Sequence, residues 1–336
     1  MAGVRLQDVA ELAGVSMKTV SNVVHDYQHV SPRMRERVQR AIDELGYRPN
    51  MLGRRLATGR TGLLALAFAD VTLPYFAELA RRVSDLAEEQ GYRVLLEQTD
   101  GTLEGERAVV SSSEAGLVDG VIFQPSVMSS AELAQTRTDI PMVILGEGAA
   151  PLSIDRVMID NVAAAREATG HLLALGRRRI AFAGHEQVHF SRTSELRIAG
   201  YQAALEDAGL AADPGLLIPT LAISPIDAAT AVGAALDAGL EVDAIMCRDD
   251  LAAIGALRAL QERGLRVPGD VAITGWDNTM MTAVTFPSIT TIAPDLTALA
   301  SRALGMLQER IDGLTAMGRH ELVGFELVTR ESAPAV

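Results

Sequence analysis

Short apolar runs alternate with helical stretches along most of this chain, from Leu63 to about residue 276. The apolar runs lie at 63–69, 93–97, 118–123, 141–145, 179–184, 244–248 and 271–276, and the helical stretches lie near 75–90, 104–116, 130–136, 161–175, 192–208, 226–238 and 250–262. This alternation predicts parallel sheets whose two faces are covered by helices. The region exceeds one comfortable folding unit, so we expect two lobes. Ligands of such sheets bind beyond the carboxyl ends of the strands, which here places a ligand in the cleft between the lobes.

The first fifty residues carry a purely helical pattern. Apolar residues recur there at three- and four-residue spacing, which predicts three short helices around one core. Gly14 ends the first helix, Ser16 caps the second, and the third begins with Ser31 and Pro32. A helix, a short glycine-containing turn and a helix form a helix-turn-helix, whose second helix can enter the major groove of DNA. Spacing alone leaves an ordinary three-helix bundle as an open alternative.

The formal net charge of the whole chain is −13, which by itself argues against a nucleic-acid-binding protein. The charge is, however, unevenly distributed along the chain. Residues 1–60 contain ten Lys and Arg against six Asp and Glu, a balance of +4. The other residues contain 20 basic and 37 acidic side chains, a balance of −17. A basic head joined to an acidic body indicates two different partners.

Several classes of protein find no support in the sequence. The single Cys247 cannot form a disulfide within one chain, and the scattered histidines do not complete a metal site, so we expect neither a metal nor a cofactor. Gly-x-Gly-x-x-Gly, Gly-x-x-x-x-Gly-Lys and Gly-x-Ser-x-Gly are absent, which weighs against an enzyme. Neither a signal peptide nor an apolar run of membrane-spanning length is present, so we expect a cytoplasmic protein without a membrane partner.

At this point the sequence resembles the LacI/GalR family of transcriptional regulators. The resemblance begins with Leu6-x-Asp8-Val9-Ala10-x-x-Ala13-Gly14-Val15-Ser16-x-x-Thr19-Val20-Ser21-x-Val23 and continues through Val30-Ser31, Arg35-x-Arg37-Val38, Ala41-Ile42 and Leu45-Gly46-Tyr47-x-Pro49-Asn50. In the body it includes Pro74-Tyr75-Phe76, Asp160-Asn161, Arg197-x-x-Gly200-Tyr201, Gly275-x-Asp277 and Pro287-x-Ile289-Thr290-Thr291. It covers nearly the whole chain. It implies an all-α helix-turn-helix DNA-binding head and an α/β periplasmic-binding-protein-like body of two parallel-sheet lobes.

The resemblance implies that the second helix of the head reads DNA bases. It assigns this role to Met17, Lys18 and Asn22, where Lys18 can donate to guanine and Asn22 can pair with adenine or donate to a phosphate. Phosphate contact or ordering of the turn is expected of Ser16, Thr19, Ser21 and His29. For His29, an ordinary solvated loop is the alternative.

Residues 50–58 resemble the hinge helix of the family. Asn50 can cap it, Arg54 can hold phosphate, and Leu56 matches the leucine that each protomer of a dimer presses into the minor groove. Gly53 stands where the family usually has alanine, and it costs the helix about 1 kcal/mol in propensity. We therefore expect Gly53→Ala to tighten operator binding and to blunt the response to the effector.

The resemblance also implies a site for a small effector, usually a sugar or another metabolite. The expected effector-binding residues are Tyr75, Phe76, Asp160, His189, Arg197, Asp249, Trp276 and Asp277. A guanidinium fork at Arg197 and a carboxylate at Asp277 suit the hydroxyl groups of a polyol. The alternatives are a surface ion pair for Arg197 and an ordinary core position for Phe76 and Trp276.

Asp249 departs from the family, which commonly has asparagine before Asp250. A carboxylate there removes an amide donor and favours an effector that is cationic or that lacks an acceptor at that point. Asp249 and Asp277 also allow the weaker alternative of a glycosidase acid and base pair.

These observations predict an effector-gated regulator, most often a repressor, that binds near-palindromic operator DNA as a homodimer. The expected domains are a head at 1–49, a hinge at 50–60, a first lobe at 61–160 with 291–321, and a second lobe at 161–290 with 322–336. A solute-binding protein of a transporter is the alternative, but it would need an export signal and no DNA-reading head.

Overall fold

The structure is a computed structural model that describes residues 4–24, 27, 29–47, 60–114, 116–135, 140–148, 150–187 and 191–335. It divides into two compact units, Met1–Gly62 and Leu63–Val336, which we call the head and the body. The predicted hinge residues Asn50, Arg54 and Leu56, together with Gly53, lie outside the described residues, as does His189.

The head contains the three predicted helices, α1 Leu6–Ala13, α2 Met17–Val24 and α3 Pro32–Leu45. Gly14 and Gly46 end α1 and α3 in the left-handed conformation, with φ of 59° and 61°. The buried faces of the three helices, together with Tyr47, form one hydrophobic cluster: Val9, Ala10, Ala13, Val20, Val23, Val38, Ala41 and Tyr47. The helix-turn-helix prediction is confirmed. The buried residues lie on the helix faces that the apolar spacing predicts.

The first lobe of the body is a parallel sheet with helices on both faces. Its described elements are β1 Leu63–Phe68, α4 Pro74–Glu89, β2 Arg93–Gln98, α5 Leu103–Glu114, β3 Gly120–Phe123, α6 Ser130–Gln135, β4 Met142–Leu145, β5 Asp155–Ile159, α12 Leu296–Ile311 and β11 His320–Val323. The strand order is β11-β5-β4-β3-β1-β2. Helices α4 and α12 cover one face, and α5 and α6 cover the other.

The second lobe repeats this plan. Its described elements are α7 Asn161–Ala174, β6 Ile180–Glu186, α8 Arg192–Asp207, β7 Leu217–Thr220, α9 Pro225–Asp237, β8 Ala244–Cys247, α10 Asp250–Glu262, β9 Ala272–Trp276, α11 Met280–Val284, β10 Thr290–Pro294 and β12 Phe325–Val328. The strand order is β12-β10-β9-β8-β6-β7, and β12 is antiparallel to β10. Helices α7 and α8 cover one face, and α9 and α10 cover the other.

The chain crosses between the lobes after β5, after β10 and after β11. Two of the expected domain boundaries therefore need correction. Residues 291–294 belong to the second lobe, because β10 pairs with β9, and residues 322–323 belong to the first lobe, because β11 pairs with β5. These strands are short and lie at or next to a sheet edge, so their apolar pattern is weaker than that of a central strand.

Within the described residues, the structure contains no helix that is both long and apolar enough to cross a membrane.

Candidate functional site

A cavity of about 270 Å³ lies between the two lobes. We call it the cleft. Its walls are formed where strands of both sheets end, by Ala69, 124–126, 146–148, Glu186, 248–251 and Asp277. The cavity therefore lies at the carboxyl ends of parallel strands, where the alternation of strands and helices predicts a ligand.

Arg197 reaches the cleft from α8 and is only 9% exposed. Its Nε donates to Oδ1 of Asn161 at 2.8 Å, and its Nη1 donates to the backbone carbonyl of Arg248. The guanidinium carbon lies 3.9 Å from the ring centroid of Trp276, a cation–π contact. Burial lowers the pKa of Arg197, but the side chain stays charged at neutral pH. Nη2 makes no hydrogen bond to a described residue and is available to a ligand.

Asp277 follows β9 in a backbone conformation that L-residues rarely adopt, with φ of 106°. Its backbone nitrogen donates to the carbonyl of Ile292 at 2.8 Å, which anchors the turn. Burial raises the pKa of the Asp277 carboxyl well above its ordinary value, against the opposing effect of nearby Arg197. Among the described residues none donates a hydrogen bond to this carboxylate, so its oxygens can accept from a ligand.

Asp249 is occupied by contacts within the protein. Its Oδ1 accepts from the backbone nitrogen of Ala252 at 2.8 Å and so caps α10, while its Oδ2 lies 3.0 Å from Nη2 of Arg248. Arg248 also donates to Oε1 of Glu186 at 2.7 Å. Arg248 pairs with the Asp249 carboxylate as well as with Glu186, so Asp249 is not an unpaired charge waiting for a cationic effector. Both oxygens are engaged, which also disfavours Asp249 as a general acid or base.

Asp250 supports the turn that carries Asp277. Its carboxylate accepts from the backbone nitrogen and hydroxyl of Thr279, at 2.7 and 2.9 Å, and from the hydroxyl of Thr291 at 2.7 Å. Burial nevertheless raises the pKa of Asp250 to about 7. These bonds connect the start of α10 to the segment after β9 and to β10. They therefore hold these three parts of the cleft wall in fixed positions relative to one another.

Aromatic side chains supply the apolar part of the cleft. Phe76 is nearly buried and stacks on Phe68, with ring centroids 5.0 Å apart, and Tyr75 meets Phe76 edge-on at 5.2 Å. Burial, with the charges of Glu147 and Asp277, raises the pKa of Tyr75. Trp276 is fully buried beneath Arg197, and its Nε1 has no hydrogen-bond partner among the described residues. Phe76 and Trp276 are packed into the cores of the first and second lobes, so the partly buried Tyr75 is the ring that offers a face to a ligand.

Asp160 is not brought into the cleft. It is exposed and accepts from the backbone nitrogen of Ala163 at 2.9 Å, as the N-cap of α7. The next residue, Asn161, is buried and bonds to Arg197 instead. The sequence motif located the correct pair, but the start of the helix turned the second residue inward rather than the first.

Several cleft residues escaped the sequence analysis. They are Gln124, Glu147, Thr193 and Arg248. A further positioning residue is Glu106, which is fully buried and accepts from the backbone nitrogens of 126–128, next to the cleft. The one signal for Glu147 and Arg248 is their position near the ends of predicted strands: Glu147 lies two residues after 141–145, and Arg248 is the last residue of 244–248.

In the head, α2 presents its polar side outward. Met17 is 54% exposed and Lys18 is also exposed, whereas Val20 and Val23 are buried. Both residues assigned to base reading at the start of α2 are therefore free to meet a partner.

Ser16 and Thr19 order the start of α2. Oγ of Ser16 accepts from the backbone nitrogen of Thr19 at 3.1 Å and lies 2.9 Å from its hydroxyl. Ser21 and Asn22 are half-buried, and exposed His29 meets Tyr27 edge-on at 5.4 Å. The predicted cap at Ser16 is confirmed.

Known proteins resemble both units. Residues 5–50 match the family model described as bacterial regulatory proteins, lacI family, and residues 169–333 match the periplasmic binding protein-like domain. The HTH-type transcriptional regulator DegA of Bacillus subtilis (strain 168) is 32% identical over 337 residues, which cover 97% of each chain. The HTH-type transcriptional repressor PurR of Vibrio atlanticus (strain LGP32) is 31% identical and covers 91% of each chain.

Solved structures agree over nearly the full length. The lac repressor dimer bound to operator and the anti-inducer ONPF has a TM-score of 0.86 and 28% identity, covering 99% of this chain and 100% of that one. The transcriptional regulator CelR in complex with cellobiose has a TM-score of 0.73 and 29% identity, covering 98% and 99%. The helix-turn-helix motif, the two-lobed body and these likenesses agree, and the chain belongs to the LacI family of bacterial transcriptional regulators.

Proposed function

We propose that this protein is a transcriptional repressor whose affinity for operator DNA is set by a neutral, polyhydroxylated small molecule, a sugar or a related metabolite, bound in the cleft. The observation that carries this proposal is the combination, in one chain, of an exposed α2 on the head and a cleft with Arg197 and Asp277 open to a ligand. A solute-binding protein would have no use for the head.

The chemistry of the cleft supports a polyol. Arg197 supplies donors and Asp277 supplies acceptors, so the pair can bind hydroxyl groups as both donor and acceptor. Tyr75, which lines the cleft and is only partly buried, can contact the apolar face of a sugar ring. The volume is near the lower end for small-molecule sites, which favours a small ligand. The relative CelR is known in complex with cellobiose.

For DNA recognition we keep the assignments made from the sequence. Met17, Lys18 and Asn22 read bases, Ser16, Thr19, Ser21 and His29 position the head on phosphates, and Asn50, Arg54 and Leu56 act in the hinge. We infer a homodimer, as in the lac repressor complex, because a two-fold symmetric protein matches a near-palindromic site. A regulator of chromosomal genes acts in the cytoplasm.

The test uses an inverted-repeat duplex from the region upstream of the gene or its neighbours and a duplex of scrambled sequence. We expect the full-length protein to prefer the repeat by about 10³-fold or more at matched salt, with binding that weakens steeply as salt rises. A panel of neutral sugars and sugar alcohols is then titrated into the complex. Equal affinity for both duplexes would refute the regulator, and a response to none of the polyols would refute the effector class.

A further inference from the structure

Glu147 connects the two lobes directly across the cleft. It lies in the first lobe, just after β4, and is half-buried. Its Oε2 accepts from the hydroxyl of Thr193 at 2.9 Å, and its Oε1 accepts from Nδ2 of Asn161. Thr193 lies in the first turn of α8 and Asn161 begins α7, and both helices pack on the second sheet. One carboxylate of the first lobe is therefore bonded to two elements of the second.

The same bonds continue to the ligand-facing arginine. Asn161 donates to Glu147 through Nδ2 and accepts from Nε of Arg197 through Oδ1. Because the two ends of one amide are both engaged, its orientation depends on both partners at once. A change in the position of Arg197 therefore alters the contact that holds the lobes together.

The two hydrogen bonds of Glu147 differ in how far their partners lie from the crossovers between the lobes. Asn161 stands two positions after the end of β5, at the first crossover between the lobes, so lobe opening moves it little. Thr193 is remote in sequence from all three crossovers. A rotation of the lobes about the crossovers therefore separates Glu147 from Thr193 first. A hydrogen bond that exists in only one arrangement of the lobes stabilises that arrangement relative to the other.

We propose that Glu147 is the positioning residue through which ligand contact at Arg197 sets the separation of the lobes, by a clasp to Thr193 and a relay through Asn161. This inference rests on the proposed function and adds the route by which occupancy of the cleft reaches the lobes. A ligand that engages Arg197 acts on the Asn161 amide and hence on Glu147. The clasp stabilises the lobe arrangement seen in this structure.

The lobe separation is measured on the full-length, ligand-free protein with spin labels at Ala108→Cys on α5 and Gln202→Cys on α8, both exposed positions. The native Cys247 is buried and does not compete for the label. Labelled protein is diluted into excess unlabelled protein, so that each dimer carries one labelled protomer. We expect Glu147→Ala and Thr193→Val to lengthen the mean distance and Glu147→Gln, which retains one acceptor oxygen, to give an intermediate value.

Glu132→Ala is the matched control, because that carboxylate also accepts from a hydroxyl, of Ser129, but both residues lie in the first lobe. It should leave the distance unchanged. Thermal unfolding of every variant checks that the body is folded, and an unchanged distance in folded Glu147→Ala and Thr193→Val would overturn the clasp.

The relay has a separate readout. Operator affinity of the ligand-free protein should change by about fivefold or more in Glu147→Ala and not in Glu132→Ala, a size typical of allosteric coupling. A longer lobe distance with unchanged operator affinity would overturn the relay. If the proposed function itself were wrong, the unmodified protein would bind the inverted repeat and scrambled DNA equally well. That result is distinct from both outcomes above.

Discussion

Arg197 illustrates how a single residue combines structural and recognition roles. Trp276 lies under its guanidinium plane, while Asn161 and the Arg248 carbonyl accept from two of its nitrogens. These contacts fix the fork before any ligand arrives, which lowers the entropy lost on binding. The sequence motif identifies Arg197 and Asp277, but the partners that orient Arg197 are remote in sequence and could not be predicted from it.

We expect Arg197→Lys to weaken effector binding by about 1.5–3 kcal/mol, the range for hydrogen bonds to charged groups. Lysine retains the charge but lacks the planar fork, so it cannot bond to Asn161, the Arg248 carbonyl and a ligand together. Isothermal titration with the responding sugar measures the loss, and urea unfolding serves as the stability control. Unchanged affinity would show that charge alone, not fork geometry, binds the ligand.

Substitution of Lys18 tests DNA recognition by the head, as substitution of Arg197 tests effector binding by the body. It is exposed at the start of α2, where it can donate to guanine in the major groove. We expect Lys18→Ala to cost about 1–3 kcal/mol of discrimination between operator and scrambled duplex. Arg40→Ala removes the same charge from the exposed side of α3 and is the control. An equal loss of discrimination in both variants would assign Lys18 to phosphate contact only.

At the scale of elements, an ion cluster around the buried Asp155 connects β5 of the first lobe to α12 and to the segment before β11. Asp155, at the start of β5, is fully buried and accepts from Arg310 of α12 at 2.8 Å and from the backbone nitrogen of Arg319 at 2.7 Å. Its partners come from the far end of the chain, so no local pattern predicts the cluster. It explains why β11 pairs beside β5 although little in its own composition marks it as a strand.

We expect Asp155→Asn to destabilise the body by about 3–5 kcal/mol, since it removes a fully buried carboxylate that is the shared counterion of two partly buried arginines. Burial alone would raise the pKa of Asp155, but hydrogen bonds from Arg310 and Arg319 outweigh it and hold the pKa well below the ordinary value. A carboxyl whose pKa is depressed in the folded state contributes stability above its unfolded pKa of about 4, and this contribution falls as the pH drops below that value.

Urea unfolding at pH 7 and at stepwise lower pH checks both parts of this prediction. The unmodified protein should lose stability below about pH 4 more steeply than Asp155→Asn does. Glu309→Gln, which removes an exposed partner of Arg319, is the control and should change little. A pH dependence that is the same in Asp155→Asn and in the unmodified protein would contradict the assignment.

On the scale of the whole molecule, the body exposes large apolar side chains in two segments of the second lobe. They are Leu221, Ile223, Ile226, Met280, Met281, Val284 and Phe286, and Phe286 is 86% exposed. Exposed apolar side chains in such number are typical of a protein interface. We expect a second copy of the chain to cover them, because the lac repressor relative is a dimer.

Introducing charge tests this surface. Val284→Glu with Phe286→Glu should shift the protein from dimer to monomer in analytical ultracentrifugation at micromolar concentration, and it should weaken operator binding, since one head then meets one half-site. Leu152→Glu places one such charge on an exposed leucine outside these segments and should leave the dimer intact. An intact dimer in the double variant would place the interface elsewhere.

The sequence by itself determined the repeating units of this protein. Apolar periodicity specifies the helices of the head and the central strands of the body, because burial on one or both faces leaves its period in the chain. It specifies the edge strands β7, β11 and β12 poorly, since these are short and partly exposed. The family motif identified Arg197 and Asp277 through their chemistry, and its pair Asp160-Asn161 located the start of α7 without deciding which residue turns inward.

Only the tertiary structure decided which distant residues meet. Glu147 bonds to Thr193 across the cleft, Arg248 bonds to Glu186 at the end of the neighbouring strand, and Asp155 accepts from arginines of α12 and of the segment before β11. Each contact joins segments that are far apart in the sequence, and the strength of a buried charged contact depends on its surroundings rather than on sequence spacing. Local pattern fixes what each segment becomes, whereas the packing of segments against one another fixes what the cleft can recognise.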